Sequence, residues 1–475
     1  EQLVICIRWV DSQYSVYDEP IGMFNIPQTD SATIVGAIID VLLRCSLPIE
    51  KCRGQGYDGA SNMMGRLNGV AANIKKEEPM ALTVHCLAHC TNLVLQDVCK
   101  KVKPVRDALD ITKEISRLIK FSPKREVLFA RNKAASVFEN PELCDHPSIG
   151  PNIKPLCPTR WTARTVAIEA VLKNYSILQD TSTEVNSTQH DDNGRAVGGV
   201  ASLMESFQSY WGLKLSHLNV FSAAEELSRS LQGKDTAAQE AQLACKSVLQ
   251  YYRKLRQDEL EFEHVYSEAV TEAAAFDMQP TLPRYRKRPK RLDDGQDPHR
   301  FDSPKAMHKK EYIETLELLI NQLEARFDQK DFKTVCDMER MLLNSANGNC
   351  ALIPDSVKLY SKDIDIPKLD TQLKLLHQFI KATDESIKHV TSMKTIATAL
   401  SSSQLGGKML SEVATLLQIY FTIPVMHLSL ETPTPGRRGA YVGICKCLDA
   451  LPAPRGWGNC SLYTIYILDG DWTLV

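Results

Sequence analysis

Between Lys51 and Gly65 the chain reads KCRGQGYDGASNMMG. Asp58 closes a short strand pattern, and Gly56 and Gly59 beside it leave room around its carboxylate. From Val84 to Asp97 the sequence VHCLAHCTNLVLQD makes a second strand-to-helix junction. Cys86 and His89, three residues apart, share one face of the helix it opens. Two successive junctions of this kind commit the opening of the chain to an α/β arrangement.

The flanking pattern agrees. Leu3 to Val10 is apolar and β-branched, and Pro20 to Ile26, after the turn-like Asp18-Glu19-Pro20, reads as its hairpin partner. Asp30-Ser31 is an N-cap signal for a helix through Ile34, Ile38, Val41 and Leu42. A strand over Lys51 to Tyr57 delivers Asp58; a helix over Asn62 to Lys75, a strand over Ala81 to Cys86 and a helix from His89 to Val98 follow. From Asp107 the spacing turns helical and stays so, with stripes such as Leu316, Leu319, Leu323 and Phe327. Breaks fall at Pro141 to Pro158, Thr181 to Gly199 and Gln279 to Pro304. No internal repeat is visible.

Composition excludes several classes. The 475 residues are 43% hydrophobic, enough for a buried core. With 56 Lys and Arg against 58 Asp and Glu, no global basic field marks a nucleic-acid binder, so any such surface is local. Fourteen cysteines without a dense framework fit a reducing compartment, nucleus or cytosol. The longest apolar run, Leu416 to Leu430, is broken by Gln418, Pro424 and His427 and is shorter than the ~20 residues of a membrane span, so no membrane partner is expected. There is no Gly-x-Ser-x-Gly elbow, phosphate-cradling loop or dinucleotide fingerprint.

The strings GYDGASNMMG, HCLAHCTNLVLQD, TRWTART and LLQIYFTIPV together resemble hAT-superfamily transposases, and in particular the transposase-derived C-terminal half of MYM-type zinc-finger protein 1-like proteins. The resemblance implies α/β plus α: a truncated RNase H-like core, its first strand missing, with a large all-helical insertion domain. The expected division is 1–120 partial core, 121–160 connecting segment, 161–425 helical insertion and C-terminal helices, and 426–475 a divergent, disordered tail. The absence of Met at position 1 suggests an internal fragment or an incomplete gene model.

Asp58 then stands at a family metal-ligand position. A carboxylate at a strand's carboxyl end suits Mg²⁺, which wants a fixed oxygen and room for water and phosphate. The family's chemistry uses two metals ~3.5–4 Å apart, which one carboxylate cannot hold. The plain alternative is a turn after a strand. The family's first acid would lie on a strand before Glu1, and its third is a glutamate beyond an Ile-Pro-Val stretch. Glu431 has about that spacing from Ile423-Pro424-Val425 but lacks the family's continuation, so chance explains it better. No cofactor is therefore expected in this form, and Mg²⁺ only in a longer one with a complete site.

Cys86 and His89 match the family's Cys-x-x-His motif, which there organises the active site and touches DNA. Without the family they read as a buried thiol beside a bonded imidazole, and a zinc site lacks a second ligand pair at structural spacing. Arg160 and Trp161 match an Arg-Trp motif whose indole stacks on an extruded base in active relatives; a Trp at a helix start is as often a core residue. Arg164 and Lys154 would add weak phosphate contacts. The basic run RYRKRPKR, Arg284 to Arg291, reads as a solvated charge run, an import signal or a phosphate-binding arm. These readings converge on a catalytically inactive, domesticated transposase-like protein, nuclear or cytoplasmic, with DNA, protein partners or a second copy of itself as candidate partners. The alternatives are an active transposase or nuclease in a longer isoform and a helical protein-interaction scaffold.

Overall fold

The computed structural model describes residues 2–57, 60–85, 87–139, 152–153, 164–188, 199–231, 237–283, 301–349, 352–403, 405–423 and 462–468. These divide into two compact units, one of residues 1–90, 230–244 and 326–475, the other of 91–229 and 245–325.

The first unit is built on a mixed five-stranded sheet. Strand β1, Gln2–Val10, pairs antiparallel with β2, Val16–Asn25. Their turn is set by Asp11, whose Oδ1 accepts from the Gln13 and Ser15 amides at 2.8 Å, while Tyr14 takes the left-handed φ of 61°. Helix α1, Ser31–Arg44, starts where Asp30 accepts from the Thr33 amide at 3.0 Å. It buries Ile34, Ile38, Val41 and Leu42 on the sheet, each worth about 1.5–3 kcal/mol against exposure. Strand β3, Cys52–Tyr57, is buried along its whole length. Two short helices follow, α2, Ser61–Met64, and α3, Val70–Glu77, where one was expected. The glycines between them break it: a Cβ on Gly69 would sit 2.4 Å from the Gly65 nitrogen. Strand β4, Leu82–His85, runs parallel to β3, and α4, Leu87–Lys101, leaves it.

The sheet order is β2-β1-β5-β3-β4, and β5 is Tyr463–Leu468. These residues fall in the stretch expected to be a disordered tail. They form instead a strand between β1 and β3, antiparallel to the first and parallel to the second. The reason is the alternation in Tyr463-Thr464-Ile465: Tyr463 and Ile465 are fully buried in the cluster of Leu3, Ile5, Ile7 and Ile38. The tail's low-periodicity residues, 432–460, lie outside the described residues.

Helices from the far end of the sequence complete this unit. Lys330–Ala346, Ile366–Thr383, Met393–Ser401 and Ser411–Thr422 are all described, each with a buried apolar stripe. Asp331 accepts from the Thr83 amide at 2.7 Å and pairs with Lys75.

The second unit is helical among its described residues. Helix α5, Lys103–Lys120, meets the helix Phe207–Leu215 so closely that a Cβ on Gly212 would lie 2.6 Å from the Pro104 carbonyl oxygen. Trp211 is fully buried beside the rings of Phe262, Tyr266 and His308, at centroid separations of 6.3, 5.9 and 5.2 Å.

Candidate functional site

Parallel strands leave their carboxyl ends on a common edge, the usual place for ligands in α/β sheets. Tyr57 and His85, the last residues of β3 and β4, stand opposite each other in register. Asp58 and Cys86, the residues that follow them, lie outside the described residues, as do Arg160, Trp161, Glu431 and the basic run 284–291.

His85 is the best-defined group at this edge. Gln329 holds its backbone on both sides: the His85 amide donates to Gln329 Oε1 at 2.9 Å, and Gln329 Nε2 donates to the His85 carbonyl at 3.2 Å. The same Nε2 lies 3.6 Å from the Cys90 sulfur. Burial, then the nearby charges of His89 and Arg326, push the His85 imidazole down to about 4. The ring is therefore neutral at neutral pH. Its Nε2 is buried and has no hydrogen-bond partner among the described residues. The Tyr57 hydroxyl is in the same position, and burial raises it well above the usual tyrosine range. His89, in the first turn of α4, puts its ring 5.6 Å from that of His85.

Sequence reasoning singled out Asp58, Cys86 and His89 here but missed His85 as a perturbed group, and Gln329 and Arg326 altogether. Neither Gln329, at the cap of the helix Lys330–Ala346, nor Arg326 lies in a motif, and nothing local ties them to β4. Arg164, offered as a phosphate contact, is partly buried with its Nη1 3.5 Å from the Cys99 sulfur.

Beyond β3, an open cleft of about 600 Å³ is lined by Asp30, Ser61, Asn62, Arg66 and Asn68 with Gly65 and Gly69. Asn62 is fixed there by donating to the Thr29 carbonyl at 2.7 Å. Arg66 is exposed and has no ion-pair partner among the described residues. No group of three or more His, Cys, Asp or Glu among the described residues stands close enough to hold a metal ion.

Residues 1–69, from β1 through Asp58 to the glycine turn before α3, match the family described as the ZMYM1/FAM200 RNase-like domain. The opening of this chain is similar to that domain. Over 448 residues the chain is 23% identical to the human 52 kDa repressor of the inhibitor of the protein kinase, covering 92% of this chain and 56% of that protein. The mouse protein of the same name is 23% identical over 450 residues, covering 92% and 57%. The chain thus spans a little over half the length of these curated relatives. No solved structure matches. No described helix is long and apolar enough to cross a membrane.

Proposed function

We propose that this chain is a domesticated, hAT transposase-like protein with an RNase H-like sheet, that it is catalytically inactive, and that it acts in the nucleus by binding nucleic acid. The observation that carries this reading is the sheet itself. An antiparallel pair, β1 and β2, stands on one side, and parallel strands on the other end immediately before Asp58 and Cys86. In that plan β5 takes the place of the first strand expected to be missing. The human relative's name, a repressor, supports a regulatory role. The cleft of Ser61, Asn62, Arg66 and Asn68 offers hydrogen-bond donors and one positive charge to a phosphodiester backbone, and the carboxylate of Asp30, also in its lining, is bonded to Thr33.

Two measurements test it. Incubated with Mg²⁺ or Mn²⁺ and hairpin-ended DNA, the protein is expected to leave the DNA intact; cleavage that disappears in Asp58→Ala overturns the inactive assignment. In a mobility-shift titration with duplex DNA, Arg66→Ala is expected to weaken binding and lower the salt slope by roughly one. Absence of binding by the unaltered chain at low salt removes the nucleic-acid reading and leaves the protein scaffold.

One observation favours a metal-dependent nuclease as the second reading. Strands β3 and β5 are parallel neighbours, and in the sequence Asp58 follows Tyr57 as Asp469 follows Leu468. Mg²⁺ would supply activation of water and stabilisation of the leaving oxygen. Among the described residues no donor set fits it.

A further inference from the structure

Strands β1 to β4 lie within residues 2–85 and follow one another in the sequence, whereas β5 comes from residues 463–468. No tight turn or short crossover fixes its register, which is how neighbouring strands are normally held in place. What holds it is the ladder on each side and the burial of its side chains. On one side Val4 to Trp9 pair with Leu468 to Tyr463; on the other Cys52 to Gly56 pair with Tyr463 to Tyr466. Without β5 the sheet is two separate ribbons, β2-β1 and β3-β4, each with an inner edge of unpaired amides and carbonyls.

The fit of β5 in this channel is good on one face and poor on the other. Tyr463 and Ile465 fill the core, and the Tyr463 hydroxyl donates to the Pro48 carbonyl at 3.0 Å. Thr464, between them, is equally buried, yet its hydroxyl has no partner among the described residues. An unpaired buried hydroxyl is a standing cost that an apolar residue of the same shape would not carry. The ladder to β3 also slips between Cys52 and Gly54.

We propose that the channel between β1 and β3 is a strand-acceptor site. Its ligand is an extended peptide, antiparallel to β1, with large apolar side chains at alternate positions and a small β-branched one between them. Strand β5 is its exchangeable occupant from the same chain. Binding is by strand addition, with main-chain hydrogen bonds giving affinity and the alternate pockets giving selectivity.

The test uses the full chain and a synthetic peptide of residues 461–469 in which Tyr466 is replaced by cysteine. Tyr466 is the register partner of Cys6 on β1. Cys6 is buried, and its thiol is pushed up to about 12 by that burial and by Asp18, so random oxidation would favour the less buried Cys45. In the full chain, Ile465→Pro removes a ladder donor from a central strand and expels β5. That variant is expected to form a peptide disulfide at Cys6, and to bind a fluorescent form of the peptide at least about tenfold tighter than the unaltered chain. There β5 competes at an effective concentration on the order of millimolar. A peptide with Val in place of Thr464 is expected to bind more tightly still. Tyr466→Cys in the otherwise unaltered chain is expected to give an intrachain bond to Cys6. An interchain bond would assign the channel to a second copy and overturn the same-chain occupant. If Ile465→Pro unfolds the first unit and the peptide does not restore it, or if the peptide attaches at Cys45 and not Cys6, the proposal is wrong.

Discussion

Arg53 grips Asp363 through two parallel bonds, Nε to Oδ2 at 2.6 Å and Nη2 to Oδ1 at 2.7 Å, across 310 residues of sequence. The guanidinium is almost fully buried in β3 and also donates to the Glu50 and Cys52 carbonyls at 2.6 and 2.9 Å, with Glu78 at 3.8 Å. A turn late in the chain, just before the helix Ile366–Thr383, is thereby bonded to the strand that leads to Asp58.

Removing one partner of such a pair strands a buried charge. Asp363→Ala is expected to destabilise the first unit by about 3–5 kcal/mol in urea unfolding. Arg53→Lys, which keeps the charge but not the two-pronged geometry, is expected to fall between that variant and the unaltered protein. A loss below ~1 kcal/mol for Asp363→Ala would mean that the pair is solvated in solution.

His85 gives the first unit a defined response to acid. Its folded value is depressed to about 4, so between the ordinary histidine value near 6.5 and 4 the unfolded chain binds the proton and the folded one does not. Stability contributed by the neutral ring is present above about pH 6.5 and is lost as pH falls to about 4, by at most roughly 3 kcal/mol. Thermal midpoints between pH 4 and 7 are expected to fall more steeply for the unaltered chain than for His85→Gln. Parallel curves would show that the ring is already charged when folded.

The glycines of the first unit separate by environment. A Cβ on Gly65 meets the Ser61 carbonyl oxygen at 2.5 Å, whereas one on Gly36, within α1, meets nothing within 4 Å. Gly65→Ala is expected to cost about 1–3 kcal/mol and Gly36→Ala to add about 0.5–1 kcal/mol. Denaturant midpoints moving in the same direction for both would contradict this.

In the second unit Glu311 collects three bonds, from Gln208 Nε2 at 3.0 Å, Trp211 Nε1 at 3.1 Å and His308 Nδ1 at 2.9 Å. Glu311→Ala orphans all three groups and is expected to destabilise this unit by about 2–4 kcal/mol. Glu311→Gln, which retains one acceptor oxygen, is expected to cost less. Tryptophan fluorescence during urea unfolding reports both, and equal losses would mean that the carboxylate charge, not the hydrogen bonding, holds the cluster.

Local sequence determined the parts whose cause is local. The β-branched run at Leu3 to Val10, the Asp30 cap with its Ile34–Ile38–Leu42 stripe, and the end of β3 at Tyr57 are legible because alternation, capping and glycine act within a few residues. Tertiary structure alone decided the rest. Tyr463-Thr464-Ile465 looked like the end of a loose tail, and it became a sheet strand because β1 and β3 supply ladder partners on both of its edges and Tyr463 and Ile465 pack into the cluster of Ile5, Ile7 and Ile38. The roles of Gln329, Asp331 and Asp363 around His85, Thr83 and Arg53 depend in the same way on contacts more than 240 residues apart in sequence, and no periodicity or motif encodes a separation of that length.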